Sequence, residues 1–223
     1  MKNFDASIAA LIDHTLLKPE ATASDISRIC AEALEYTFAS VCVNPYWVPL
    51  VSGMLNGSAV KTCTVVGFPL GASATSIKVA EAAQALRDGA QEIDMVLNIG
   101  ELRGGNIAVV EEDIRAVVDT THRSGGIVKV ILETALLNDE QKTSACRIAK
   151  AAGADFVKTS TGFSSGGATT HDIALMRAAV GPQLGVKASG GIRTLDDLRQ
   201  MVAAGASRVG ASASVKIIET TAV

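Results

Sequence analysis

No stretch of this chain carries charge of one sign. Its formal net charge is −3 and its pI near 5.6, with Lys and Arg scattered among Asp and Glu. Such a balance leaves no electrostatic footprint for nucleic acid or for an anionic membrane, and small neutral or phosphorylated molecules remain as partners. Long apolar runs are missing too. No segment is long enough to span a bilayer, and Asp5 and Asp13 break the N-terminal stretch before an apolar core can form, so no membrane span and no signal peptide is expected. Cysteine is sparse: Cys30, Cys42, Cys63 and Cys146 lie far apart, and no pair has metal-ligand spacing. Free thiols in a reducing cytoplasm are expected, with no disulfide, metal or cofactor. Because Pro/Ser-rich linkers and low-complexity tracts are absent as well, residues 1–223 read as a single domain.

What is present is alternation. Short β-branched runs trade places with longer stretches of helical period, the pattern of repeated βα units around a parallel sheet. Strands are expected near Leu11 to Thr15, Ala39 to Val43, Val60 to Val66, Glu92 to Leu97, Val128 to Leu132, Phe156 to Thr159, Gly185 to Ala188 and Arg208 to Gly210. Helices are expected over Thr22 to Tyr36, Thr75 to Asp88, Asn106 to His122, Asp139 to Ala152, Thr170 to Val180 and Thr194 to Ala204. Asp88-Gly89-Ala90, Ser124-Gly125-Gly126, Ala152-Gly153-Ala154 and Ala204-Gly205-Ala206 each hand a helix over to a strand, glycine supplying the left-handed turn. Eight such units predict an α/β fold, a (β/α)8 TIM barrel. The alternative, a doubly wound open sheet, favours a glycine fingerprint after its first strand, whereas this chain has His14-Thr15-Leu16-Leu17-Lys18-Pro19 there.

Two of the strand candidates hold a lysine where apolar residues are the rule: Lys158 in Phe156-Val157-Lys158-Thr159 and Lys187 in Val186-Lys187-Ala188. In this fold chemistry gathers where strands end. Period two also places Asp94, Val96 and Asn98 on one face of the fourth strand, and Lys129, Ile131 and Glu133 on one face of the fifth. An ordinary lysine, with a pKa of about 10.4, is a poor nucleophile near neutral pH. Burial and a neighbouring ammonium both disfavour its charged form, and roughly 4 kcal/mol of such bias makes the free amine substantial. That amine attacks a carbonyl to form a Schiff base, an electron sink for breaking a neighbouring C–H or C–C bond. Asp94 is the best-placed acid/base group. Anions are expected on the glycine-rich turns after the last strands, Ser189-Gly190-Gly191 and Gly210-Ala211-Ser212, with Thr161-Gly162 beside them. Lys129 and Glu133 are expected to pair inside the barrel, His14 to be a hydrogen-bonded structural residue, and Tyr46 and Trp47 to pack on the barrel wall from a helix opened by Pro45.

Together these segments resemble the deoxyribose-phosphate aldolase family. I-D-H-T-L-L-K-P (12–19), V-C-V-N-P (41–45), T-V-V-G-F-P-L-G-A (64–72), E-I-D-M-V-L-N-I-G (92–100), K-V-I-L-E-T (129–134), A-D-F-V-K-T-S-T-G-F (154–163), V-K-A-S-G-G-I-R (186–193) and G-A-S-R-V-G-A-S (205–212) occur in order along the chain. The resemblance implies a class I, metal-independent aldolase that reversibly splits 2-deoxy-D-ribose 5-phosphate into D-glyceraldehyde 3-phosphate and acetaldehyde, in deoxyribose phosphate catabolism. By position it implies that Lys158 forms the Schiff base, Lys187 perturbs it, Asp94 acts in proton transfer, and Asp13 and Lys129 support them. The phosphate is assigned to Gly162, Gly190, Gly191, Gly210 and Ser212. A homo-oligomer in the cytoplasm is expected. Two departures stand out: Phe163 where some members carry a basic residue, and Thr220-Thr221-Ala222-Val223 where some end in tyrosine. Rival readings are another Schiff-base aldolase or transaldolase, a barrel that binds a sugar phosphate without turnover, and a triosephosphate-type isomerase, which leaves both lysines unexplained.

Overall fold

A computed structural model describes residues 4–221. Eight parallel strands close into a barrel in sequence order: β1 (Ile12–Leu16), β2 (Ser40–Val43), β3 (Lys61–Val66), β4 (Glu92–Val96), β5 (Ile127–Ile131), β6 (Phe156–Lys158), β7 (Gly185–Ser189) and β8 (Arg208–Ala211), with β8 pairing back onto β1. The fold is therefore the expected (β/α)8 barrel, with every strand end within one residue of its expected place.

Local chemistry explains the helices. Those over Ala23–Tyr36, Asp139–Ala151 and Leu195–Ala203 each open on a reciprocal capping box, Thr22 with Asp25, Asn138 with Gln141 and Thr194 with Asp197. At the other end the four glycine phrases behave as expected. Gly89, Gly125, Gly153 and Gly205 all have positive φ, and the next amide reaches back into the last helical turn, as Ala90 N–H does to the Ala85 carbonyl at 2.9 Å.

Pro45 opens a 3₁₀ turn, Pro45–Trp47, that leads into a helix over Val48–Leu55. That helix carries Pro49 and Gly53 and has no side-chain cap, so its period is hard to read. Burial of Val48, Val51 and Leu55 holds it in place. Trp47 packs on the core as expected, but Tyr46 is 82% exposed and meets Trp47 edge-on with ring centroids 4.9 Å apart, so it does not join the wall. Short helices over Ala6–Ala9 and Ile99–Arg103 were outside the sequence pattern, being too brief to show a period.

The main apolar core lies between strands and helices. Ile93, Met95, Val128, Val130, Val157, Val186 and Val209 all belong to it, and each is buried. The residues between them, Asp94, Lys129, Lys158 and Lys187, turn into the barrel and are buried as well. These strands therefore alternate, where a sheet between two apolar layers would run continuously apolar. Among the described residues no helix is long and apolar enough to cross a membrane.

Candidate active site

Strand register decides which charges meet. Asp94 stands opposite Lys129 across β4 and β5, Lys158 opposite Lys187 across β6 and β7, and Lys187 opposite Arg208 across β7 and β8. All these side chains reach toward the barrel axis, and Asp94 sits at their centre. Its Oδ1 accepts from Lys129 Nζ at 2.8 Å, and its Oδ2 accepts from Lys158 Nζ at 2.8 Å and from Lys187 Nζ at 2.6 Å. The Cys63 thiol adds a longer contact to Oδ1 at 3.3 Å.

These charges set one another's protonation. Burial works against ionised Asp94, but Lys129, Lys158 and Lys187 outweigh it and hold the carboxyl well below the usual carboxylate range. Burial likewise opposes the Lys187 ammonium, and Asp13 and Asp94 more than offset it, so its pKa is raised above the ordinary lysine value. Lys129 is raised for the same reason, with Asp94 the chief carboxylate. Asp13 is depressed despite its burial by Lys187, Lys129 and Arg208. In the resting site Lys187 is thus a fixed cation and Asp94 a fixed anion. Asp94 is ready to accept a proton before it can give one.

Above this cluster opens a cavity of about 220 Å³ with Lys158 among its lining residues. Gly162, Gly190, Gly191, Gly210 and Ser212, the positions expected to hold phosphate, all line it. Gly162, Gly190 and Gly191 have positive φ, a conformation open to glycine, and among the described residues the amides of these three and of Ser212 find no protein acceptor. Four unsatisfied N–H donors around one opening are suited to an oxyanion. Gly210 has a second use. A Cβ there would stand 3.1 Å from Lys187 Cε, so the bare backbone makes room for that side chain.

Asp13 and Lys129 join the site through ion pairs. Lys187 Nζ lies 2.5 Å from Asp13 Oδ2, and Lys129 Nζ lies 2.6 Å from Glu92 Oε2. The expected pair of Lys129 with Glu133 does not form. Lys129 reaches sideways to β4, while Glu133 lies beyond the end of β5 and takes hydrogen bonds from the backbone and hydroxyl of Thr161. Sharing a strand face does not imply contact, because residues four apart on a strand are roughly 13 Å apart. His14 is structural, with Nε2 2.7 Å from Glu32.

Three site residues escaped sequence reasoning. Arg193 lines the cavity with an exposed side chain, although V-K-A-S-G-G-I-R already displayed it beside the glycines. Glu92 and Arg208 begin β4 and β8 and meet at the base of the cluster, Arg208 Nη2 donating to both Glu92 oxygens at 2.9 Å. Their only sequence signal was a charge at the start of a barrel strand. Of the two departures, Phe163 turns aside from the glycines and packs edge-on against Phe68 at 5.3 Å. The C-terminal residues Ala222 and Val223 lie outside the described residues. All four cysteines are free and buried, with Cys42 facing Cys63 across β2 and β3.

A model of the DeoC/LacD family aldolases matches residues 7–216. The chain is 59% identical over 211 residues to a deoxyribose-phosphate aldolase of Clostridium kluyveri, spanning 95% of this chain and 96% of that one. To the deoxyribose-phosphate aldolase of Lysinibacillus sphaericus it is 56% identical over 214 residues, 96% of each chain. Among solved structures, the tetrameric deoxyribose phosphate aldolase of Aeropyrum pernix matches with a TM-score of 0.90 at 35% identity, over 97% of this chain and 92% of that one. A lysine-lined barrel mouth under a ring of free amides, and a match that runs nearly end to end, agree on one assignment: the chain belongs to the DeoC/LacD family of aldolases.

Proposed function

We infer that this barrel is a class I aldolase that reversibly cleaves 2-deoxy-D-ribose 5-phosphate to D-glyceraldehyde 3-phosphate and acetaldehyde, with one barrel as the whole catalytic unit. The observation that carries the reading is Lys158 Nζ, 2.8 Å from the Asp94 carboxylate and opening into the cavity ringed by free amides. The phosphate seats on the amides of Gly162, Gly190, Gly191 and Ser212, which places the sugar aldehyde over Lys158. The neutral amine adds to C1, and with one proton taken up from solvent through the open cavity the carbinol hydroxyl leaves as water, giving a protonated imine. Removal of the C3 hydroxyl proton then lets the C2–C3 bond break. Its electrons pass to the imine nitrogen as glyceraldehyde 3-phosphate departs. Asp94, ionised at rest, accepts a proton first and afterwards returns one to C2 of the two-carbon enamine. Hydrolysis releases acetaldehyde and restores Lys158. Throughout, Lys187 stays cationic and Asp13 and Lys129 keep Asp94 in place.

Borohydride reduction in the presence of acetaldehyde, followed by peptide mass mapping, tests the nucleophile. A two-carbon ethyl group is expected on Lys158 and on no residue of Lys158→Ala. An adduct on Lys187, or scattered over surface lysines, would overturn the assignment.

With Phe163 turned away, Arg193 lines the cavity beside the glycine amides and can pair with the phosphate. Arg193→Gln is expected to raise KM for the phosphorylated sugar about tenfold with little change in kcat, and to leave KM for unphosphorylated 2-deoxyribose unmoved. Equal effects on both sugars would remove Arg193 from phosphate binding. Assembly into a homo-oligomer accords with the tetrameric relative from Aeropyrum pernix, and a cytoplasmic location accords with the free thiols.

A further inference from the structure

Six charges form a closed ring, five of them buried and the sixth, Arg208, with its side chain 13% exposed. Arg208 grips Glu92 through both carboxylate oxygens at 2.9 Å and Asp13 Oδ1 at 2.6 Å. Lys129 bridges Glu92, at 2.6 Å, to Asp94, at 2.8 Å. Lys187 bridges Asp94, at 2.6 Å, back to Asp13, at 2.5 Å. Three carboxylates thus alternate with three cations, every charge has an opposite charge on either side, and the ring is neutral. Lys158 stands outside it. Among the described residues its one ion pair is with Asp94 Oδ2, an oxygen that Lys187 already holds.

We infer that Arg208 is a positioning residue for the reaction: by bridging Glu92 to Asp13 it closes the ring in which all three carboxylates are paired, so that the cluster is electrically balanced when Lys158 is a free amine. A net charge in a low-dielectric interior is costly, and the seventh ionised group is the surplus one. Lys158 is the seventh group by its placement: that side chain is 3% exposed at the cavity, whereas Lys129 and Lys187 are fully buried and each is held by two carboxylates at close range. Other ionisable groups face this space, and Cys63 accepts from Lys129 Nζ at 3.4 Å and donates to Asp94 Oδ1 at 3.3 Å. Cys42 and Cys63 face it from β2 and β3, Glu133 is committed to Thr161 beyond β5, and Arg193 sits at the cavity rim beyond β7. Among the described residues none of these forms an ion pair with the ring.

The inference rests on Lys158 being the imine-forming amine, and its test reads that amine directly. Reductive methylation of Lys158 with formaldehyde and cyanoborohydride, followed by mass mapping and normalised to a surface lysine, is measured from pH 5 to 9. Wild type, Arg208→Gln, Arg208→Lys and Glu92→Gln are compared, alongside the pH profile of kcat/KM. Arg208→Gln leaves the ring one charge negative, so Lys158 keeps its proton longer and the acid limb moves up by about one pH unit, a tenfold loss of labelling on that limb. Arg208→Lys restores the wild-type limb. Glu92→Gln leaves the ring one charge positive and moves the limb down.

Opposite shifts from the two ends of one ion pair are the expected result. A purely structural role would lower the plateau in both variants and leave the limb where it was. Limbs that stay put, or that move in the same direction, would overturn the proposal. Should Arg208→Gln fail to fold, Glu92→Gln decides: a limb that stays or rises overturns it. If the methylation limbs shift as stated while wild type forms no acetaldehyde adduct on Lys158, the charge argument stands and the aldolase reading of that lysine falls.

Discussion

Lys158→Met is expected to lower kcat at least about 10⁴-fold while leaving the barrel as stable as the parent or slightly more so. The activity loss follows from removing what is, among the described residues, the one amine that opens into the cavity, a step for which neither Lys129 nor Lys187 can substitute while carboxylates hold both as ammonium ions. The stability effect is the less obvious half. Replacing a buried polar group with an apolar one of similar volume is often neutral or favourable, and here the amine removed is the one that shares its carboxylate oxygen with another lysine. A gain of about 1 kcal/mol corresponds to roughly 2–4 °C in Tm for a domain of this size. Steady-state cleavage rates and a thermal melt on the same preparation check both halves. A Tm drop beyond about 5 °C would mean that Lys158 is part of the compensated network and not its surplus member.

Asp94→Asn is expected to fail in the opposite way, losing both activity and stability. The carboxylate accepts from three lysines within 2.8 Å, and the amide that replaces it leaves those cations facing one another in the barrel interior. Breaking a buried pair from one side typically costs about 3–5 kcal/mol, on the order of 10 °C in Tm here. Loss of the acid/base group adds a fall of roughly 10²–10⁴ in kcat.

The pH dependence has a fixed sign. Folding holds the Asp94 pKa well below its unfolded value of about 3.9, because the three lysines outweigh burial. Its stabilisation is therefore full above that value and is lost as pH falls through the folded one. Lys187 runs the other way. Its raised pKa gives a contribution that is complete below about pH 10 and is lost only as pH rises further. The stability gap between wild type and Asp94→Asn should accordingly be constant from about pH 5 to 9 and narrow below pH 4. Melts across that range measure it, and a gap that widens in acid would contradict the charge assignment.

The barrel was legible because its signals are local. A glycine left-handed turn after a helix, a capping box before one and a β-branched run of four to six residues each act within a few residues of chain, and they recur around the barrel. Lys158, Lys187 and Asp94 stood out because a charge inside a buried strand conflicts with that pattern. The helix over Val48–Leu55 was obscured because burial, and not propensity, holds it.

The sequence by itself therefore determined the eight-stranded barrel, the residues that share a face on the fourth and fifth strands and the glycine turns at the barrel mouth, all consequences of short-range sterics and period. Only the tertiary structure decided which charges touch. Barrel closure brings Arg208 of β8 onto Asp13 of β1 and Glu92 of β4, and strand stagger turns Lys129 toward Glu92 and Asp94 and away from Glu133. Ion pairing falls off over a few ångströms, and the distances involved are set by shear and closure, which no local window of sequence contains.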